Sequence, residues 1–288
     1  MMIKFIKKYW QALRLSEVSL MSGFFLIGSF FAVDSYNQEN IVKIILLGVL
    51  SFSIVLSVYS FNSAAGKEND SNNIRLKNLW SFSKNKFLIF AFIFFIISIS
   101  LSFILNNFAS ILSILIIFLW ILYSHKTIGL KQKAIYGTLI HFFAQILHFV
   151  LAWIIFREFS YEAILIAIFF SLAFSSGHLL HEIIDYECDK NSGFKTSAIK
   201  FGVKTIAKSI AIILFLNLII ISLLFVFNYI SEVAFISFAL ATLIHFCIIV
   251  FNINNILQKA LLIRYIYRIV YLLAGVIFIL FTIIQAFK

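Results

Sequence analysis

The chain has 288 residues, of which 62% are hydrophobic and 12% are charged. Soluble domains run at about 45–50% apolar and about 25% charged residues, so this composition excludes a water-soluble globular protein and predicts an integral membrane protein. Two isolated cysteines without a CxxC pattern exclude a disulfide framework.

Nine apolar runs follow one another along the chain, each close to the roughly 17–25 residues that a membrane-crossing helix needs. They cover residues 17–33, 41–61, 87–105, 108–124, 138–156, 161–180, 205–228, 233–252 and 268–287. Because hydrocarbon offers no water to the backbone, and because these runs are too long for barrel strands, each is predicted to be a helix. The polar gaps are short. The sequence therefore predicts one all-α integral membrane domain over residues 1–288, a bundle of nine transmembrane helices.

The basic residues predict the orientation of this bundle. With the N-terminus inside, all but three of the 23 Lys and Arg residues fall on the inner side, the exceptions being Lys43, Arg157 and Lys288. This is the positive-inside pattern, and it places the N-terminus in the cytoplasm, with a bacterial cytoplasmic membrane as the expected location. The net charge of +11 is thereby explained as a topology signal, and no nucleic-acid partner is expected.

An acidic stretch, HEIIDYECDKNSGFKTSAIKFG, follows the sixth run on the inner side. Asp185 and Asp189 are four residues apart, so on a continued helix they project from one face, one turn apart, with His181 one turn earlier. Two like charges at this spacing repel each other weakly, whereas a divalent cation between them gains about 4 kcal/mol per charge pair at about 4 Å. Mg²⁺ suits the pattern because it uses one or two carboxylates, several waters and substrate phosphate oxygens.

A second polar stretch on the same side, FNSAAGKENDSNNIRLKN, follows the second run. Asn62 and Asp70 are eight residues apart, which is about two helical turns, and Gly66 stands between them where a third ligand could be. Arg75 follows shortly afterwards. Two oxygen-bearing helix ends with Arg and Lys nearby are typical of a magnesium–diphosphate site at a membrane surface.

These residues resemble the motifs of the UbiA superfamily of intramembrane prenyltransferases, and the resemblance covers essentially the whole chain. The first family motif reads N-D-x-x-D-x-x-x-D with R-P after it, and here the outer Asn62, Asp70 and Arg75 match. Ser63, Gly66 and Leu76 depart from it. The second motif, D-x-E-x-D followed by Gly, Thr and Gly, is matched closely by Asp185, Glu187, Asp189, Gly193, Thr196 and Gly202. ALRLSEVS and LYSHKTIGLKQKAIYG are similar to further family segments.

The resemblance implies nine helices with both motifs at cytoplasmic helix ends, and a magnesium-dependent prenyl transfer. The implied metal ligands, also expected to be catalytic, are Asn62, Asp70, Asp185 and Asp189. Diphosphate contacts are expected from Arg14, Arg75, Lys126, Lys131 and Lys195. His181 and Tyr123 are the acceptor-side candidates. The implied partners are a polyprenyl diphosphate donor, an aromatic or lipid acceptor and the membrane lipid.

Three alternatives stay open at the level of sequence. A terpene cyclase of the same fold would need a donor but no acceptor. A non-catalytic scaffold could have kept the fold after losing the central carboxylate at Gly66. A transporter is disfavoured because its ionisable residues tend to lie near the membrane midplane, whereas the acidic clusters here lie at one face.

Overall fold

The computed structural model describes residues 9–66 and 82–286, and these ranges are helical without a β-strand. From Leu15 onwards the described helices are α1 Leu15–Ala32, α2 Gln38–Gly66, α3 Lys84–Leu105, α4 Asn107–Ser124, α5 Tyr136–Ile154, α6 Tyr161–Ile184, α7 Tyr186–Asn191, α8 Ser197–Phe201, α9 Val203–Val226, α10 Glu232–Asn252 and α11 Ile256–Ala286. Short 3-10 turns cover Leu130–Gln132 and Ile253–Asn255. The predicted all-α class is confirmed.

Within the described residues, eight helical stretches are long and apolar enough to cross a membrane, and every predicted apolar run overlaps one of them. The eighth stretch has 55 residues, which would be about 80 Å as one straight helix. It folds back on itself instead. The rings of His245 and Tyr267 stack at 4.4 Å, and the Thr242 and Tyr271 hydroxyls are 3.0 Å apart, so α10 and α11 run antiparallel. The number of nine membrane crossings stays a prediction.

Several helices extend beyond the apolar runs that predicted them. Helix α2 continues to Gly66 and α6 continues to Ile184, so both carry their apolar stretch into a polar one. The gap between the apolar runs 233–252 and 268–287 is not a loop for most of its length, because α11 begins at Ile256. Lys and Arg are good helix formers, and their charges mark where a helix leaves the hydrocarbon, not where it ends.

The chain divides into two compact units, of which the first holds the described residues up to 130 and residues 147–158. In this unit α1 packs on α2, and α2 packs on α3 and α4. Small side chains allow these close approaches. The Ser51 hydroxyl donates to the Ser22 carbonyl at 2.8 Å, and the Ser57 hydroxyl donates to the Ala91 carbonyl at the same distance. Such hydrogen bonds link helices where the hydrocarbon supplies no other polar partner.

The second unit holds residues 131–146 and 159–288. Helix α6 packs against α9 and α11, and α10 packs against α9 and α11. Its apolar core includes Leu180, Ile183, Ile210, Leu214 and Ile249, all with no exposed surface. This core lies directly under the acidic end of α6. The single domain over residues 1–288 stays a prediction.

Candidate functional site

The acidic end of α6 keeps its helical spacing across a break. Helix α6 ends at Ile184 and α7 begins at Tyr186, with Asp185 at the junction. Even so, the Asp185 N–H donates to the His181 carbonyl at 3.0 Å, and the Asp189 N–H donates to the Asp185 carbonyl at 2.8 Å. The three residues thus follow one another at one-turn intervals, with the half-buried Asp185 and Asp189 near the end of the unit's core.

Two glycines shape the segment after these carboxylates. Gly193 and Gly202 have φ values of 73° and 84°, the left-handed region in which a side chain is strained. The Phe194 N–H donates to the Asp189 carbonyl at 3.0 Å, so the chain turns back directly after the second aspartate. This geometry explains why glycine stands at both positions of the motif.

The segment then returns to a buried carboxylate, that of Glu182 in the last turn of α6. Only 5% of Glu182 is exposed. Its Oε2 accepts from the Ala198 N–H at 3.0 Å, and its Oε1 accepts from the Ser197 hydroxyl at 3.4 Å. The Nε2 of His178 also lies 3.4 Å from Oε1. Glu182 lies in the acidic stretch, but the sequence assigns it no role because its partners are 15 and 16 residues away.

Two of the predicted cationic residues, Lys131 and Lys195, lie on neighbouring backbone segments in the second unit. The Lys195 N–H donates to the Gln132 carbonyl at 2.9 Å, and Lys133 and Lys195 form an isolated parallel bridge. Lys131, on the neighbouring 3-10 turn, therefore lies on a segment paired with that of Lys195. The backbone brings these two residues together although they are far apart in sequence.

Two histidines that sequence reasoning did not pair meet in the same unit. The rings of His141 on α5 and His178 on α6 stack at 4.1 Å with an angle of 18° between them. The side chain of His178, one turn before Glu182, contacts the Glu182 carboxylate, and the His181 carbonyl accepts from the Asp185 N–H. His181 stays the predicted acceptor-side residue.

In the first unit, Asn62 is half-buried in the last turns of α2, which ends at Gly66. Arg14, directly before α1, has a left-handed φ of 52° and pairs with Glu17. Its guanidinium lies 4.8 Å from the ring centroid of Tyr59, one turn before Asn62. The structure therefore brings Arg14 to the same end of α2 as Asn62.

The other predicted residues of the first unit lie on α4 and in the segment after it, or outside the described residues. Tyr123 lies in the last turn of α4 with its ring edge-on to Trp120, at 5.3 Å between centroids. Lys126 is exposed in the turn that follows. Asp70 and Arg75 lie outside the described residues.

The donor set can be compared with what a metal ion needs. Among residues 9–66 and 82–286, no three His, Cys, Asp or Glu side chains come together as a ligand group. Mg²⁺ does not require one, since one or two carboxylates suffice when waters and substrate phosphates complete its octahedron. The Asp185–Asp189 pair fits that donor set.

The UbiA prenyltransferase family model matches residues 21–265. The chain belongs to this family. The predicted resemblance is confirmed, and with the apolar helices it identifies an integral membrane protein of an enzyme family.

Solved structures share the UbiA fold with this chain at low sequence identity. One, from work on digeranylgeranylglyceryl phosphate synthase in membranes, is 18% identical with a TM-score of 0.74, and the match covers 96% of this chain and 98% of that one. A UbiA homologue from Archaeoglobus fulgidus bound to GPP and Mg²⁺ is 16% identical with a TM-score of 0.69, covering 93% and 99%. The apo form of a homologue from Aeropyrum pernix K1 is 15% identical with a TM-score of 0.70, covering 95% and 98%. No curated protein sequence matches the chain.

Proposed function

We propose that this UbiA protein transfers a prenyl or polyprenyl group from an isoprenoid diphosphate to a membrane-held acceptor, with Mg²⁺ as cofactor. An aromatic compound is the first acceptor class to test, and a lipid is the second. The observation that carries the proposal is the Asp185–Asp189 pair at one-turn spacing in a chain of this family. Homologues of the same fold have been solved with GPP and Mg²⁺ and with DMAPP and Mg²⁺, which supports an isoprenoid diphosphate as donor.

In this proposal Asp185 and Asp189 hold the metal, which, when bound, neutralises charge on the diphosphate. The paired backbones of 131–133 and 195 present Lys131 and Lys195 as cations for the same anion. Negative charge grows on the diphosphate as its carbon–oxygen bond breaks. Fixed cations therefore stabilise the transition state more than the bound substrate.

The apolar interior serves the other half of the reaction. An allylic cation is quenched by water, so its lifetime depends on a surrounding from which water is excluded. His181, one turn before Asp185, is the proposed residue that accepts the proton lost by the acceptor. Tyr123 remains a weaker acceptor-side candidate.

The first motif supplies further proposed ligands within its own unit. Asn62 and Asp70 are the proposed metal ligands there, and Arg14, Arg75 and Lys126 are proposed diphosphate contacts. Arg14 has the strongest structural support, because its contact with Tyr59 brings it to the end of α2 that carries Asn62. The cytoplasmic placement of these residues is also part of the proposal.

The test is magnesium-dependent release of diphosphate from geranyl, farnesyl and longer donors by the purified protein. The double variant Asp185→Ala, Asp189→Ala is expected to lose release. A matched control, Glu158→Ala with Glu232→Ala, also removes two carboxylates, from exposed positions outside the motifs, and is expected to keep it.

Two outcomes would refute the proposal. One is the absence of release from every donor by the wild-type protein, even with a membrane extract as acceptor source. The other is equal release by the double variant and the control. Product analysis without acceptor separates transfer from cyclisation, because only a cyclase forms a cyclic hydrocarbon or cyclic alcohol from the donor alone, whereas a transferase gives at most the linear alcohol.

A further inference from the structure

Three separate segments of the second unit meet at the carboxylate of Glu182. Helix α6 supplies Glu182 itself, and the start of α8 supplies the Ala198 N–H and the Ser197 hydroxyl that it accepts from. The segment before α5 joins through Ser197, whose hydroxyl oxygen accepts from the Ile135 N–H at 3.0 Å. One buried carboxylate therefore connects the three segments that carry Asp185, Lys195 and Lys131.

A carboxylate in this position needs its partners. Burying an ionised group away from water is costly unless hydrogen bonds replace its hydration. At 5% exposure, Glu182 gains that replacement from the Ala198 N–H and the Ser197 hydroxyl. Hydrogen bonds to a charged group are also stronger than those between neutral groups. The connection is thus strong enough to define the path of the backbone around it.

The connection continues to the proposed phosphate-binding cations. Ser197 is two residues after Lys195, whose N–H donates to the Gln132 carbonyl, so the segments 131–135 and 195–198 are joined at two places. Without the Glu182 carboxylate, residues 197 and 198 lose their hydrogen bonds to α6. The backbone pairing beside Lys131 and Lys195 is weakened as a consequence. The aspartates depend on it less, because their spacing rests on α6 and α7 backbone hydrogen bonds.

We infer that Glu182 is a positioning residue that sets the places of Lys131 and Lys195 relative to the Asp185–Asp189 pair. The inference rests on the proposed function for its catalytic meaning, since it assigns Glu182 to the binding of the diphosphate anion. Glu182 acts through the backbone. Both of its oxygens are occupied by the contacts with residues 197 and 198.

The first test measures the geometry and needs no substrate. Amide hydrogen exchange of the detergent-purified protein would be followed in peptides covering 131–137 and 194–200 in wild type and in Glu182→Gln. An amide of the same size replaces one acceptor oxygen by a donor. The expected result is exchange roughly tenfold faster in both peptides, the order of change for a lost hydrogen bond to a charged group, with α10 unchanged.

The smaller variant Ser197→Ala keeps the carboxylate and removes the acceptor of the Ile135 N–H. It is expected to speed exchange in the 131–137 peptide more than in the 194–200 peptide. Ser209→Ala is the matched control and should change neither, because this half-buried serine donates its hydroxyl to the Thr205 carbonyl of its own helix. Unchanged exchange in both peptides of Glu182→Gln would overturn the inference, whatever the enzyme's activity.

The second test separates positioning from metal binding. For Glu182→Gln the donor KM should rise roughly tenfold, while the Mg²⁺ concentration for half-maximal rate stays within about twofold of wild type. In addition, Lys195→Ala should raise KM in the wild-type background and add little in the Glu182→Gln background, since coupled residues are not additive. A Mg²⁺ requirement shifted as far as in Asp185→Ala, or full additivity with Lys195→Ala, would overturn the positioning role. If wild type turns over no donor, the proposed function fails, and the exchange result still decides the geometry.

Discussion

Gly28 on α1 offers the sharpest test of how the first unit is packed. A Cβ added there would lie 3.0 Å from the Ala152 Cβ and 3.0 Å from the Phe149 carbonyl oxygen, and 3.4 Å from a ring carbon of Phe149. These contacts are closer than ordinary van der Waals distances, and two of the three atoms cannot rotate away. Gly28→Ala must therefore move α5 by a few tenths of an ångström or leave the two side chains strained.

The expected magnitude follows from two opposing terms. Alanine improves helix propensity by about 1 kcal/mol over glycine, whereas overpacking of a tight core costs about 1–3 kcal/mol. Gly23 lies on the same helix, and a Cβ there meets nothing within 4 Å. Gly23→Ala therefore gains the helix propensity of alanine without the cost of overpacking. The two variants should therefore differ in unfolding free energy by about 1–3 kcal/mol.

The assay is thermal unfolding of both variants and wild type in the same detergent, followed by intrinsic fluorescence. Gly28→Ala should melt on the order of 5 °C below Gly23→Ala. Equal melting temperatures for the two variants would refute the close approach of α1 and α5 at this glycine. A lower melting temperature for Gly23→Ala than for Gly28→Ala would indicate that the close helix contact lies at the opposite face of α1, at Gly23.

Three further predictions concern other contacts. Gly177→Ala should destabilise the second unit by about 2 kcal/mol, because its Cβ would lie 2.7 Å from the Tyr267 hydroxyl oxygen. Tyr267→Phe in the same chain should recover part of the lost melting temperature, since the ring carbon that carried the hydroxyl still lies 3.3 Å away, and no recovery would exclude this clash. Burial raises the pKa of Tyr36 to about 12, while the unfolded chain ionises near pH 10, so stability should fall between about pH 10 and 12. Tyr36→Phe should lessen that fall in melting temperature, and an identical pH profile would contradict it. The exposed Asp34–Arg157 pair should contribute less than about 1 kcal/mol, so Asp34→Asn is expected to change stability only slightly, and less still at high salt; a larger loss would refute this.

The helix ends show where sequence patterns stop being informative. Apolar runs predicted the helices because lipid leaves the backbone no partner other than itself. They did not predict that α11 begins at Ile256, since the charged residues that end an apolar run do not end a helix. An apolar run therefore locates the part of a helix that lies in hydrocarbon, while local backbone geometry sets the residue at which the helix ends.

The candidate site likewise contains features that the sequence could predict and contacts that it could not. The spacing of Asp185 and Asp189 could be predicted, because it depends on the backbone periodicity of neighbouring residues. The partners of Glu182 could not, because Ser197 and Ala198 reach it only after the chain has turned at Gly193. The stack of His141 on His178 and the pairing of Lys195 with Gln132 likewise join residues from distant parts of the sequence.

The sequence by itself determined the membrane class, the helices and the residues of the second motif, since composition and short-range periodicity act through solvent and backbone alone. Only the tertiary structure decided which buried groups meet: Glu182 with the start of α8, and Gly28 with α5. The physical reason is that such contacts depend on the packing of whole helices, whose side chains approach one another only after the backbone of each has formed.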